Sequence, residues 1–327
     1  MHFHKTHIFC GDINYIKYIG IAITNILIFK NKYVFHIFFD DISQNYLEKL
    51  RKTAIYYNVN INIYFINDDV IDKIECAINE NSRFPASASF RIIAPKILKG
   101  FCDKVLYLDA DILIKNDLSA FYKINMNDSI VAAVKDVSSD DLSEECNVEA
   151  YFNSGVILID VNKWNEANIT ECCIQLLSKK RWKYLDQDIL NIVLNKKVIL
   201  LEERYNFQYS LSRILNRGFF AYHNFKPIII HFIGLEKPWN SWVQYIKEVK
   251  EWQEIKEKSF WADIENIKIS NLTLKKQYMY MHAITRKNYR DKEFFEFFYN
   301  YLKYIFLKIK FVFKEQIPEP NHADKNN

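Results

Sequence analysis

Two periods of apolar residues alternate along the first two-thirds of the chain. Thr6 to Gly11 is a short apolar run closed by a polar turn, Ile16 to Phe29 repeats apolar residues at helical spacing, and Val34 to Phe39 is continuous again. The chain is therefore predicted to open strand, helix, strand. Helical spacing returns from Gln44 to Tyr57, and a β-rich run follows from Val59 to Phe65. Lys104 to Leu108, Ile130 to Val134, Val156 to Ile159 and Pro227 to Phe232 read as further strands, and Tyr184 to Val193 as a helix. Strands that alternate with helices predict an α/β class with a mostly parallel sheet covered on both faces.

Beyond Trp242 the pattern changes. Lys and Glu pair along Tyr245 to Lys258, a basic and aromatic stretch runs from Arg286 to Lys314, and a polar tail follows from Ile317 to Asn327. The expected organisation is a main domain over residues 1–245, a small helical appendage over 246–316 and a tail over 317–327. Phe294 to Lys314 fits one helix, with Phe294, Phe298, Tyr301, Ile305, Ile309 and Val312 on an apolar side and Glu296, Asn300, Lys303, Lys310 and Lys314 opposite. Lysines beside aromatic residues suit a helix lying in an anionic headgroup region, and packing against the main domain or a partner is the other reading of the same pattern.

Composition narrows the class. Of 327 residues, 50% are hydrophobic and 26% charged, which places the chain among globular proteins. A net charge of +4, without a basic stripe in the first two-thirds, argues against nucleic acid as a partner. The cysteines, Cys10, Cys76, Cys102, Cys146, Cys172 and Cys173, show no C-x-x-C spacing and read as reduced structural thiols. Met1 to Gly11 lacks the features of a signal peptide, so a cytoplasmic location is expected. The run Ile19 to Phe29 is broken by Thr24 and Asn25 and falls short of the ~20 residues a spanning helix needs.

The candidate chemistry begins at Asp109-Ala110-Asp111, directly after the apolar strand ending at Leu108. Residues two apart on an extended backbone share a face, so both carboxylates aim at one spot beyond the carboxyl end of a strand, where open α/β sheets bind ligands. Two hard oxygen donors suit Mg²⁺ or Mn²⁺ completed by substrate phosphates; a pair of solvated turn aspartates is the equal alternative on this short pattern alone.

Further motifs follow in order: Phe9-Cys-Gly-Asp-Ile-Asn-Tyr15, Ser89-Phe-Arg91, Lys104-Val-Leu-Tyr-Leu-Asp-Ala-Asp111, Phe152-Asn-Ser-Gly-Val156, Asp186-Gln-Asp-Ile-Leu-Asn191 and His231-Phe-Ile-Gly-Leu-Glu-Lys-Pro-Trp239. On these six motifs the chain, over about residues 6 to 245, resembles glycosyltransferase family 8, in particular its bacterial lipopolysaccharide glucosyl- and galactosyltransferases. The resemblance implies a GT-A, Rossmann-like fold and a UDP-hexose donor, glucose or galactose. It also implies Mn²⁺, with Mg²⁺ as the substitute, and α-linked transfer with retention onto a lipid-linked oligosaccharide at the inner-leaflet membrane surface.

By the same resemblance, Asp109, Asp111 and His231 would ligate the metal, while Asp12, Asn14, Tyr15, Ala110, Gly234 and Lys237 would contact the nucleotide. Arg91, Asn153, Ser154 and Asp136 would hold the donor sugar, and Asp186 and Gln187 would act at the reacting carbon. Structural roles compete at several positions: an Asx-turn for Asp12 and Asn14, a helix-surface arginine for Arg91, a turn residue for Asn153, and a satisfied core histidine for His231. Two other classes share parts of this constellation. A sugar-phosphate nucleotidyltransferase would need a Gly-rich phosphate loop that the N-terminus lacks, and a non-catalytic UDP-sugar binding module would not need every metal and sugar position filled.

Overall fold

A computed structural model describes residues 5–66, 86–177, 179, 182–210, 226–234, 236–244, 246–268 and 273–315. Cys76, Leu235, Tyr245 and the tail Ile317 to Asn327 lie outside the described residues. In chain order the elements are β1 (Lys5–Gly11), α1 (Ile16–Leu27), β2 (Tyr33–Phe39), α2 (Gln44–Tyr57), β3 (Asn60–Phe65), α3 (Phe90–Ile97), β4 (Lys104–Leu108), β5 (Ile112–Ile114), α4 (Ser119–Tyr122) and β6 (Val131–Lys135). They continue as α5 (Ser139–Cys146), β7 (Phe152–Asp160), α6 (Val161–Glu166), α7 (Ile169–Leu177), α8 (Leu185–Val193), β8 (Val198–Leu201), β9 (Phe207–Tyr209), β10 (Ile229–Phe232), α9 (Lys247–Glu257), α10 (Leu274–Arg290) and α11 (Phe294–Glu315).

Seven strands form one sheet in the order β3-β2-β1-β4-β7-β6-β8, and β5-β10-β9 form a second. The expected α/β class with a mostly parallel sheet is observed. β1, β2, β3 and β4 run parallel, as do β6 and β8, and β7 alone runs antiparallel to its neighbours β4 and β6. β2 reads Tyr-Val-Phe-His-Ile-Phe-Phe and is buried on nearly every residue, because a strand inside a sheet covered on both faces has no wet side. In α1 every residue but Lys17 is buried, and its sequence is apolar all round for the same reason. α2 has a single buried stripe; the Ser43 hydroxyl caps its first turn by accepting from the Tyr46 N–H at 3.3 Å, and Asn58 ends it in the left-handed region.

The chain divides into two compact units. One is built from residues 1–208, 226–233 and 254–264, the other from 209–225, 234–253 and 265–327, taken over the described residues. Side chains of the first unit's core include Phe38 of β2, Phe90 of α3, Tyr107 of β4, Phe152 of β7, Trp164 of α6 and Leu190 of α8. Parallel β1 and β4 pair with Ile8 opposite Tyr107, so their carboxyl ends emerge side by side.

In the second unit α10 and α11 pack together, with Tyr278 of α10 against Tyr304 and Phe311 of α11. Asn300, assigned by its spacing to a polar outer stripe, is instead fully buried and donates to Asn288 Oδ1 of α10 at 3.0 Å, while Asn288 donates to Glu293 at 2.6 Å. The outward face of α11 is the apolar one: Phe295, Phe298, Leu302, Phe306, Ile309 and Phe313, spaced three and four apart, are all exposed. Polarity alone misassigned this one position because the Asn300 amide N–H finds a partner amide rather than water.

Candidate active site

Asp109 leaves the end of β4 with its N–H donated to the Gly155 carbonyl of β7 at 2.8 Å. Asp111 is buried ahead of β5, and its carbonyl accepts the Phe232 N–H of β10 at 2.9 Å. Antiparallel pairing of β5 with β10 sets His231, inside β10, opposite Ile112. The His231 Nε2 thereby lies 3.3 Å from Asp111 Oδ1 and 3.7 Å from Asp109 Oδ2. Ligand atoms of the three residues all fall within 4.8 Å of one another. Two carboxylates and an imidazole make a donor set that fits a divalent cation such as Mn²⁺.

Two further features shape this corner. At Gly155 a Cβ would overlap the His231 ring and come within 2.6 Å of Asp109 Oδ2, so the missing side chain makes the room in which the cluster converges. Asn206, wholly buried, faces His231 Nδ1 through its Oδ1 at 3.1 Å and donates from Nδ2 to Asn153 Oδ1 at 3.0 Å. With its amide nitrogen so engaged, Asn206 offers Nδ1 only an acceptor. The imidazole then carries its proton on Nδ1 and turns the Nε2 lone pair toward the two carboxylates.

Behind the carboxylates stands Arg91, from α3, whose side chain is only 11% exposed and turned into the site rather than spread on a helix surface. Its Nη2 reaches Asp109 at 3.1 Å, its Nε reaches Asp186 at 3.1 Å, and Nη1 donates to the Ser154 carbonyl at 2.9 Å. The guanidinium also lies 4.5 Å from the centroid of the Tyr107 ring, whose hydroxyl donates to Asp109 at 2.6 Å. Burial works against the Arg91 charge, but Asp109 and Asp186 outweigh it and hold the group firmly protonated. For Asp186 burial is the largest influence and pushes its carboxyl up to about 6; Arg91 pulls it back down and Asp109 adds to the rise. Cys10 is close enough to feel all three charges, yet burial raises its pKa so far that it stays a thiol.

The chain of contacts continues without a break. Gln187 Oε1 accepts from the Ser154 N–H at 2.9 Å and the Ser154 hydroxyl at 3.2 Å, and its Nε2 donates to Asp136 Oδ2 at 3.3 Å. Asn153 donates to the same Asp136 oxygen at 3.0 Å. Asn153 and Ser154 lie within β7 and not in a turn, and both are buried. Leu185, at the start of α8, has φ +36, a left-handed conformation rare for a bulky residue, directly before Asp186 and Gln187. Asp188 and Asn191 of the same helix serve structure: Asp188 accepts the Tyr184 N–H at 2.9 Å, and Asn191 clamps both backbone groups of Phe152 at 2.7 and 2.9 Å.

Of the residues singled out in the sequence, Asp109, Asp111, His231, Arg91, Asp186, Gln187, Asn153, Ser154 and Asp136 thus belong to one connected network. Ala110 sits buried between the two aspartates. Asp12 forms the expected Asx-turn, with Oδ1 accepting the N–H of Asn14 at 2.8 Å and of Tyr15 at 3.1 Å, while the Asn14 side chain is exposed. Burial, followed by the negative charges of Asp111, Asp12 and Asp109, pushes the Tyr15 hydroxyl up to about 12. Gly234 and Lys237 belong to the second unit; Gly234 has φ +77, a conformation its lack of a Cβ permits, and the Lys237 carbonyl accepts from Asn240 at 3.0 Å. Asn206, Tyr107 and the spatial role of Gly155 are the parts that sequence reasoning missed.

The mostly parallel α/β sheet, with an Asp-x-Asp and histidine cluster at the end of β4, is that of a GT-A glycosyltransferase. Residues 7–243 match the model of glycosyl transferase family 8, and the chain belongs to that family. It is 30% identical over 295 residues to a lipopolysaccharide 1,2-glucosyltransferase of Escherichia coli strain K12, covering 85% of each chain. It is 29% identical over 251 residues to a lipopolysaccharide 1,3-galactosyltransferase of Salmonella typhimurium, covering 72% of each. The crystal structure of galactosyltransferase LgtC with donor and acceptor sugar analogues superposes with a TM-score of 0.67 at 22% identity, over 78% of this chain and 96% of that one, and shows the shared GT-A fold.

Proposed function

We propose that this glycosyltransferase moves a hexose, glucose or galactose, from a UDP-sugar to a lipid-linked oligosaccharide of the lipopolysaccharide type, with retention and with Mn²⁺. The observation that carries the reading is the convergence of Asp109, Asp111 and His231 beside the Arg91–Asp186–Gln187 corner. The relatives named for glucosyl and galactosyl transfer to lipopolysaccharide support the donor and acceptor classes.

When bound, the cation would supply Lewis-acid stabilisation of the departing diphosphate. Asp109, Asp111 and His231 would hold it. Asp12, Asn14, Tyr15 and the backbone at Ala110 contact the nucleotide; Gly234 lets the backbone approach the diphosphate, and Lys237 offsets its charge. Arg91, Asp136, Asn153 and Ser154 fix the sugar, which converts an encounter into an oriented reaction. Asp186 Oδ2 already receives Arg91 Nε at 3.1 Å and the Ser154 hydroxyl at 3.4 Å, a poor state for a nucleophile. The front-face route is therefore preferred. The acceptor oxygen bonds to the anomeric carbon as the bond to the phosphate oxygen breaks, the acceptor proton passes to that leaving oxygen, and the Gln187 amide and Asp186 steady the positive charge at the carbon.

The same reading sets the enzyme on the cytoplasmic face of the inner membrane. Among the described residues no helix is long and apolar enough to cross a bilayer. The outward face of α11, with Phe295 83%, Leu302 69% and Phe306 66% exposed, supports a helix lying in the interface, and Lys308 and Lys310 are exposed alongside.

Asp109→Asn and Asp111→Asn test the central claim. Removing one charged ligand forfeits several kcal/mol of leaving-group stabilisation, so UDP-hexose transfer should fall by about two orders of magnitude or more while thermal unfolding is kept. Near-parent transfer that still requires Mn²⁺ would sink the assignment.

A further inference from the structure

The second unit contains a cavity of about 310 Å³ lined by Ser241, Trp242, Gln277, Met281, Lys303, Phe306 and Leu307. Its walls come from the Ser241–Val243 turn, from α10 and from α11. Trp242, Met281, Phe306 and Leu307 make it largely apolar, with Lys303, Gln277 and Ser241 as polar points. That mixture is characteristic of a site for an amphiphile rather than for water or a sugar. An apolar cavity of roughly 150 Å³ holds a benzene molecule, so twice that volume admits a run of methylene groups.

One observation says what kind of amphiphile. Lys303, over the Tyr299 ring at 4.1 Å, brings a positive charge to the cavity wall. A cation beside an apolar wall calls for an anionic head on a hydrocarbon tail. Phe306 fixes the source, because it lines the cavity and is also part of the exposed apolar stripe of α11. The cavity is thus continuous with the surface assigned to the bilayer.

We infer that the cavity holds one acyl chain of an anionic phospholipid, with the lipid phosphate at Lys303. Binding would anchor the helical unit to a particular lipid class and add to the shallow insertion of α11. This inference extends the interfacial placement of α11 and is independent of sugar transfer, since neither donor nor cation takes part.

The test uses the full chain without nucleotide or metal, titrated below micellar concentration with octyl phosphate, decyl phosphate, octyl glucoside and inorganic phosphate, and followed by calorimetry. Octyl phosphate should bind saturably at one per chain. Decyl phosphate should bind more than tenfold tighter, at about fourfold per added methylene. Lys303→Gln should weaken octyl phosphate at least fivefold and leave octyl glucoside unchanged. Met281→Trp and, in case that variant fails to fold, Ser241→Phe should abolish binding of both by filling the cavity. Phe295→Ser with Leu302→Ser should reduce binding to phosphatidylglycerol vesicles yet keep the one-to-one octyl phosphate site. Absence of saturable binding, parent-like binding in the filled variants, or equal binding of inorganic phosphate would overturn the inference. Each of these outcomes leaves the transfer reaction measurable on its own.

Discussion

Asn206→Leu isolates the contribution of the buried amide behind His231. In the parent, Asn206 makes two buried hydrogen bonds, to His231 Nδ1 at 3.1 Å and Asn153 Oδ1 at 3.0 Å. Leucine has similar bulk and neither group. Asn153 Oδ1 keeps the Gly155 N–H at 3.1 Å, but His231 Nδ1 is left with no acceptor in a buried site. The two lost bonds and the orphaned donor should cost on the order of 2 to 3 kcal/mol, read as a lower urea midpoint. Freed from its acceptor, the ring can swing or change tautomer, and Mn²⁺ affinity in the presence of UDP should weaken about 10- to 100-fold by calorimetric titration. Thr170→Val is the control. Its hydroxyl bridges the Ile92 carbonyl at 2.8 Å and the Trp164 indole at 3.0 Å, so it should lower the midpoint and spare the cation. Parent-like Mn²⁺ affinity in Asn206→Leu, beside a reduced midpoint, would refute the idea that this amide aims the imidazole.

Gln187→Ala should lower kcat about 100-fold with little change in donor affinity, because its amide serves the transition state; equal loss of UDP-sugar binding, by equilibrium dialysis, would contradict that role. Deleting residues 286–327 should abolish sedimentation with anionic liposomes, and undiminished sedimentation would remove the membrane role of α11. Acid should destabilise the fold through two buried histidines. Burial, aided by Lys5 and opposed by Asp117, depresses His7 to about 3, and burial depresses His36 to about 4. Between pH 6.5 and those values the unfolded chain takes up protons the folded chain refuses, so stability falls as pH falls, by roughly 2 kcal/mol per histidine at pH 5. His7→Phe should lose less stability than the parent between pH 7.5 and pH 5, and an identical loss would refute the account.

The apolar runs were legible because burial on both faces leaves one kind of signal: β1, β2 and β4 sit within a residue or so of where hydrophobicity alone put them. β7 was harder. Its last residues were found, but Phe152 to Gly155 carries the polarity of a turn, and only Asp136, Gln187, Asn191 and Asn206, all distant in sequence, make those polar groups affordable inside a strand. The carboxylates of the candidate site were readable from their two-residue spacing after a strand. His231 needed the motif around it, since the pairing of β10 with β5 that brings it to them is a long-range fact with no local trace. Asn206 had no signal at all, because one asparagine between aromatic residues looks like any turn residue until its neighbours in space are known.

The amide pair between Asn288 and Asn300 bears on how the helical hairpin keeps its alignment. Two helices that met only through oily side chains could slip past each other by a turn at little penalty, since one aliphatic contact replaces another. A single polar notch removes that freedom, because every shifted alignment strands two amides in a dry seam. The aromatic side of α11 is consequently locked to one heading, and the hairpin can present it as a fixed blade rather than a rolling cylinder.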